Sequence, residues 1–125
     1  NNKAKNILKT CEILSKTEKI PEELDELIKL PWVWIKTAKV WLAVARNQPF
    51  LGVDTHVHRV LNRVGIVNTK TPEQTDKRTT KILKKEDLWK LHNTLILYWR
   101  YHCTARKPKC SSCQMAKICK YYQTK

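Results

Sequence analysis

Long apolar runs are absent from this chain. Although 42% of its 125 residues are apolar, no stretch nears the roughly 18 consecutive apolar residues that a bilayer-crossing helix needs, which excludes a membrane span. The same apolar share excludes a fully disordered chain. Acidic residues are few, 11 against 25 lysines and arginines. The resulting +14 at pH 7 makes a polyanion the natural partner, nucleic acid ahead of an acidic membrane surface. No secretory leader, lipid-anchor motif, internal repeat or Gly/Ser-rich linker is recognisable, so nothing in the pattern divides the chain into independent domains. No segment alternates as a strand does. Glycine is reduced to Gly52 and Gly65.

The charge that is present is unevenly placed. Residues 1–30 balance Lys3, Lys5, Lys9, Lys16, Lys19 and Lys29 against Glu12, Glu18, Glu22, Glu23, Asp25 and Glu26. The whole excess therefore falls on residues 31–125, where only Asp54, Glu73, Asp76, Glu86 and Asp87 oppose it, and residues 103–125 hold no acid at all. These cations alternate with Trp, Tyr, Leu and Ile, the pattern of a localised binding face rather than of a low-complexity basic tail.

Periodicity predicts an all-α chain. A first helix over residues 3–15 carries Ile7, Leu8, Cys11 and Leu14 on one stripe, which makes Cys11 a core residue. Pro21 suits the first position of a second helix over 21–29, with Glu22 and Glu23 favouring its dipole. Residues 35–47 read as a largely buried helix stopped by Gln48-Pro49. Asp54 caps a helix with Val57, Val60, Leu61 and Val64 inward, and Gly65 closes it. Helices over 72–84, opened by Thr71-Pro72, and over 86–101 follow, before a cysteine-rich loop with one short helix.

Four of the five cysteines, Cys103, Cys110, Cys113 and Cys119, fall in the pattern C-x6-C-x2-C-x5-C. Such bunching favours a metal over disulfides. Four thiolates take either a tetrahedral zinc or the four iron corners of a cubane cluster, and spacing alone leaves both open. Either one supplies folding energy by tying the tail to the helices. Arg106, Lys107 and Lys109 lie between the first two cysteines, where a metal would stiffen a cationic knuckle for a phosphate backbone.

The second signal is Leu30-Pro31-Trp32-Val33-Trp34-Ile35-Lys36-Thr37-Ala38, followed by Val53-Asp54-Thr55-His56-Val57 and Arg59-Val60. With the cysteine spacing, Pro72-Glu73-Gln74 and Ala105-Arg106-Lys107-Pro108-Lys109, this resembles the endonuclease III family of helix-hairpin-helix DNA glycosylase/abasic-site lyases over essentially the whole chain. The resemblance implies a partial helical barrel at 1–64 with its hairpin at 30–38. It implies C-terminal helices at 65–125 with a [4Fe-4S] loop at 103–119. Lys36 would be the nucleophile that attacks C1′ of a damaged nucleotide, forms a Schiff base and cuts the strand 3′ to the lesion by β-elimination. A lysine near a helix N-terminus in a dense positive field has its ammonium form disfavoured, as a nucleophilic amine requires. Asp54 would stabilise the positive charge that develops on the sugar or assist proton transfer, and can also serve as the N-cap. The adenine-specific relatives lack the lysine, so Lys36 implies the lyase branch. The partner would be double-stranded DNA carrying oxidised pyrimidines or abasic sites, contacted by Trp32, Val33, Trp34, Thr37, His56, Arg106, Lys107 and Lys109. His56 and His58 read as surface or phosphate-contacting groups, since four thiolates already complete a metal site. Clustered thiols without a leader imply a reducing compartment, the cytoplasm and nucleoid in a bacterium.

The chain departs from the family in two ways. The hairpin glycines are Trp32 and Trp34, and the glycine before Arg100 is Trp99. Glycines there allow left-handed backbone and close approach to a phosphate, so the indoles are expected to weaken DNA binding. Each change is one base, GGG to TGG or GGA to TGA, which implies either a genome that reads TGA as tryptophan or a decaying gene. Family members also carry a further half-domain before the segment matching residues 1–20. Residues 1–46 are therefore expected to expose apolar faces and to depend on a partner, with a monomer expected for a complete protein.

Overall fold

The computed structural model describes residues 1–125, every one of the ordered elements being helical. In chain order they are α1 (Asn2–Ser15), α2 (Leu24–Leu27), α3 (Ile35–Arg46), α4 (Thr55–Val64), α5 (Pro72–Ile82), α6 (Lys85–Tyr101), a 3-10 turn (Ala116–Ile118) and α7 (Lys120–Gln123). No helix is long and apolar enough to cross a membrane. The chain forms two compact units, Asn1–Gln48 and Pro49–Lys125. The division thus falls before α4, not at the expected 64/65 boundary. The reason is that α4 gives its apolar side to a core whose members all lie between residues 51 and 95.

In the first unit, α1 is capped by the Asn1 side chain and buries none of its residues. Its apolar stripe stays in solvent, with Ile7 54% and Leu8 64% exposed. Cys11 is exposed with it and is not the core residue expected. The second helix is much shorter than 21–29, and Pro21 lies outside it. A helix from Pro21 would need the Glu22 carbonyl for its own ladder, but that carbonyl accepts a hydrogen bond from Gln48 Nε2 at 3.1 Å. The Glu22 carboxylate meets Arg46 Nε at 2.9 Å as well. Ile20, just before the proline, has no side-chain oxygen with which to cap. Leu27, Leu30, Ala38, Leu42 and Ala43 form the small core of this unit. Helix α3 is amphipathic rather than largely buried, since Ile35 and Val44 are more than half exposed. It ends one residue earlier than expected because Asn47 turns left-handed, at φ 51°, before the chain reaches Pro49.

The second unit follows its local signals closely. The Asp54 carboxylate caps α4, and Gly65 closes it at φ 96°. A Cβ at Gly65 would also meet Lys120 Cδ at 2.9 Å and make that flexible side chain shift, so it is chiefly the left-handed backbone that demands glycine there. Thr71 caps α5, whose first residue is Pro72. Leu51, Val53, Val57, Val60, Leu61, Val64, Val67, Leu88 and Leu95 make the core, with Tyr98, Trp99, Cys103 and Met115 packed on its edge. Helix α6 therefore delivers the chain to Cys103 from a fixed frame.

Candidate functional site

The hairpin is a tight turn in which Val33 N–H donates to the Leu30 carbonyl at 3.1 Å. Pro31 occupies the second position, and Trp32 the third at φ 63°. A left-handed third residue after proline is the place where turn chemistry calls for glycine. The indole holds a backbone conformation that costs a side-chain-bearing residue on the order of 1–2 kcal/mol. Trp34 sits instead at φ −84°, ψ 161°, as the N-cap of α3 with no side-chain capping bond. The turn is tied to α1 through Thr10 Oγ1, which donates to the Pro31 carbonyl at 3.0 Å. Lys36 and Thr37 are exposed in the first turn of α3, where helix N–H groups lack partners within the helix and attract anions. Trp32 and Trp34, 51% and 68% exposed, flank that turn.

This contrast is testable. Trp32→Gly is expected to raise stability by roughly 0.5–1 kcal/mol, the relieved backbone cost less the chain entropy that glycine loses on folding. Trp34→Gly relieves no strain and is expected to lower stability by a similar amount. Thermal melts of the two variants therefore shift in opposite directions, and shifts of one sign would show that the Trp32 backbone is not a source of strain.

Asp54 belongs to the second unit and stands at the start of α4. Its Oδ1 accepts the N–H groups of His56 and Val57, each at 2.9 Å. A carboxylate is favoured there by the helix dipole and is held in one orientation by the pair of bonds. His56 and His58 are not surface groups. His56 is half-buried and stacked on Trp99, with centroids 4.0 Å apart and the rings 13° from parallel. Its Nδ1 meets Arg59 Nη1 at 3.1 Å. His58 Nδ1 lies 2.6 Å from Thr75 Oγ1, inside a polar network with Asn62 and Thr69.

Two arginines that sequence reasoning passed over fasten the C-terminal loop. Arg59 Nη2 donates to the Cys103 carbonyl at 2.9 Å. Arg63 donates to the carbonyls of Thr104 and Ala105, both at 2.8 Å, and its Nη1 reaches Cys103 Sγ at 3.6 Å. Their i, i+4 spacing was the available signal, because it puts both guanidinium groups on one side of α4. The loop also closes on itself, Lys109 N–H donating to the His102 carbonyl at 3.0 Å and Thr104 Oγ1 to the Lys107 carbonyl at 2.8 Å. Arg106, Lys107 and Lys109 are exposed on it.

Cys103, Cys110, Cys113 and Cys119 are free of disulfides and half-buried, and all four line one cavity. No three Cys, His, Asp or Glu side chains converge closely enough to hold a single metal ion. Donors already face the sulphurs. Tyr98 Oη is 2.8 Å from Cys113 Sγ, and Met115 N–H donates to the same sulphur at 3.3 Å. Burial, and then the neighbouring sulphurs, hold the Tyr98 hydroxyl well above the usual phenol range, so it stays a donor. His102 also lines the cavity, and its Nδ1 is buried with no protein partner, which an electron-rich occupant would supply.

The profile of the HhH-GPD superfamily base excision DNA repair protein matches residues 1–85, and that of the iron-sulfur binding domain of endonuclease III matches residues 103–119. The second match begins at Cys103 and ends at Cys119. Endonuclease III of Rickettsia felis is 42% identical over 126 residues, covering 99% of this chain and 59% of that protein. Endonuclease III of Escherichia coli K12 is 42% identical over 123 residues, covering 97% of this chain and 58% of that protein. A non-covalent endonuclease III–DNA complex superposes with a TM-score of 0.90 at 38% identity, over 98% of this chain and 59% of that one. A trapped endonuclease III–DNA covalent intermediate gives 0.90 at 39% identity, with the same coverage. The chain thus spans about 59% of the length of the relatives it matches. It belongs to the HhH-GPD superfamily of base excision DNA repair proteins, in the endonuclease III family whose [4Fe-4S] loop it carries.

Proposed function

We propose that this chain serves base excision repair as a DNA glycosylase with abasic-site lyase activity toward oxidised pyrimidines in duplex DNA. The observation that carries this reading is the left-handed hairpin turn that delivers the chain directly into the helix bearing Lys36. In this scheme the Lys36 amine bonds to C1′ as the base leaves with the electron pair of the glycosidic bond and takes up a proton. The Asp54 carboxylate, fixed by its two backbone donors, offsets the positive charge on the sugar. The ring then opens to an imine between Lys36 and C1′. Loss of a C2′ proton drives out the 3′ phosphate and cuts the strand 3′ to the lesion. Cys103, Cys110, Cys113 and Cys119 hold the cluster, which when bound contributes folding energy and performs no step at the sugar. The hairpin residues Trp32, Val33, Trp34 and Thr37 and the loop residues Arg106, Lys107 and Lys109 contact the DNA backbone, with His56 supporting from beneath Trp99.

The test is borohydride reduction of the chain mixed with an abasic-site duplex at low salt. A covalent band on that duplex, absent from an intact duplex and mapping to the peptide that contains Lys36, is the expected result. The exposed indoles of Trp32 and Trp34 favour a second reading, a catalytically impaired, cluster-stabilised DNA-binding remnant. It predicts salt-dependent duplex binding with no covalent band.

A further inference from the structure

Tyr98 touches the cysteine cluster at two points. It lies in the last turn of α6, packed against the core, and its carbonyl accepts the N–H of Cys103 at 2.9 Å. Its hydroxyl stands 2.8 Å from the sulphur of Cys113. The backbone of the first ligand and the thiolate of the third are thus positioned by one half-buried residue. When Cys113 ligates iron its sulphur is a thiolate with no proton of its own, so the tyrosine is the donor and the sulphur the acceptor.

That polarity has a consequence for electron affinity. An electron added to an iron–sulphur cluster spreads its charge onto the thiolates, and a hydrogen-bond donor on a thiolate stabilises the more electron-rich state. The effect is larger at a half-buried site than in water because the surroundings screen it less. Met115 N–H, at 3.3 Å from the same sulphur, acts in the same direction but is fixed by the backbone. The Tyr98 hydroxyl is the part of the arrangement that a side-chain change can remove.

We propose that Tyr98 sets the reduction potential of the cluster by hydrogen bonding to the Cys113 thiolate, holding the potential more positive than the four cysteines alone would. The couple transfers one electron between an electrode and the cluster. No bond is made or broken, and the proton remains on the tyrosine oxygen. The proposal rests on Cys113 being a ligand, which iron analysis and absorbance near 400 nm report independently of the potential.

The experiment is voltammetry of the iron-loaded protein beside its Tyr98→Phe variant, with iron content measured for both. Tyr98→Phe is expected to keep its iron and to favour the oxidised form about tenfold more, a shift of about 59 mV to more negative potential for a one-electron couple. Equal potentials at equal iron content would overturn the proposal. Should the phenylalanine variant lose its iron, 3-fluorotyrosine at position 98 decides, because fluorination strengthens the donor at nearly the same size. A shift to more positive potential supports the proposal and no shift overturns it. A wild-type chain that holds no iron would overturn the ligand assignment and the proposal together.

Discussion

Lys36→Ala should lower borohydride-trapped adduct on abasic-site DNA by at least about a thousandfold, with duplex affinity reduced by only a few-fold. The asymmetry follows from what each measurement needs. Trapping requires an amine that becomes covalently bound to C1′, and no neighbouring group substitutes for the nucleophile itself. Affinity is a sum over many cations, 25 lysines and arginines in all, so one charge contributes a small share. The dependence of log affinity on log salt is expected to fall by about 0.9 when one phosphate contact is lost. Lys39→Ala, three residues further along α3, gives the control: a similar salt effect with trapping retained. Equal loss of trapping in both variants would mean that the chemistry senses the positive field of α3 and not the Lys36 amine.

The second large effect concerns the cluster loop. Cys113→Ala should abolish absorbance near 400 nm, expose residues 103–125 to proteolysis and rapid amide exchange, and weaken duplex binding at least about tenfold. Regular structure after Cys103 is limited to a three-residue 3-10 turn and the four residues of α7. Helices that short do not persist on their own, because nucleation is unfavourable and too few bonds follow to repay it. The arginine bonds to the Cys103, Thr104 and Ala105 carbonyls hold the start of the loop only. A metal centre is worth on the order of 10 kcal/mol of folding energy, which is what the remainder lacks without it. Far-UV helicity should change little, since the core of the second unit is built from residues 51–95. Cys11→Ser, at an exposed position on α1, should alter none of these readouts. Protection of residues 106–119 in an iron-free Cys113→Ala protein would show that hydrogen bonds alone close the loop.

The features legible in the sequence are those decided within a few residues. Asp54, Thr71 and Gly65 act as caps because the chemistry of capping is local. The cysteine spacing and the Lys36 motif are likewise short-range patterns. The features that escaped are set by distant partners. Residues 21–23 stay out of α2 because Gln48, 26 residues away, takes the Glu22 carbonyl. His56 leaves the surface because Trp99 covers its ring, and Arg59 and Arg63 find their acceptors more than 40 residues along. Cys11 shows the opposite failure: an apolar stripe at helical spacing implies a buried face, but burial needs something to pack against. Trp32 lies between these cases. Turn chemistry assigns position 32 to glycine, and the backbone keeps that conformation with an indole attached.

Gly65 links the end of α4 to the far end of the cysteine loop. Any side chain there would take on a disfavoured backbone and push against Lys120. Lys120 begins α7, immediately after Cys119, so the side chain that would have to move belongs to the residue beside the last of the four cysteines. The residue that closes α4 thus also leaves room for the residue beside Cys119, and a change at position 65 would be felt at the cysteine set, far along the chain.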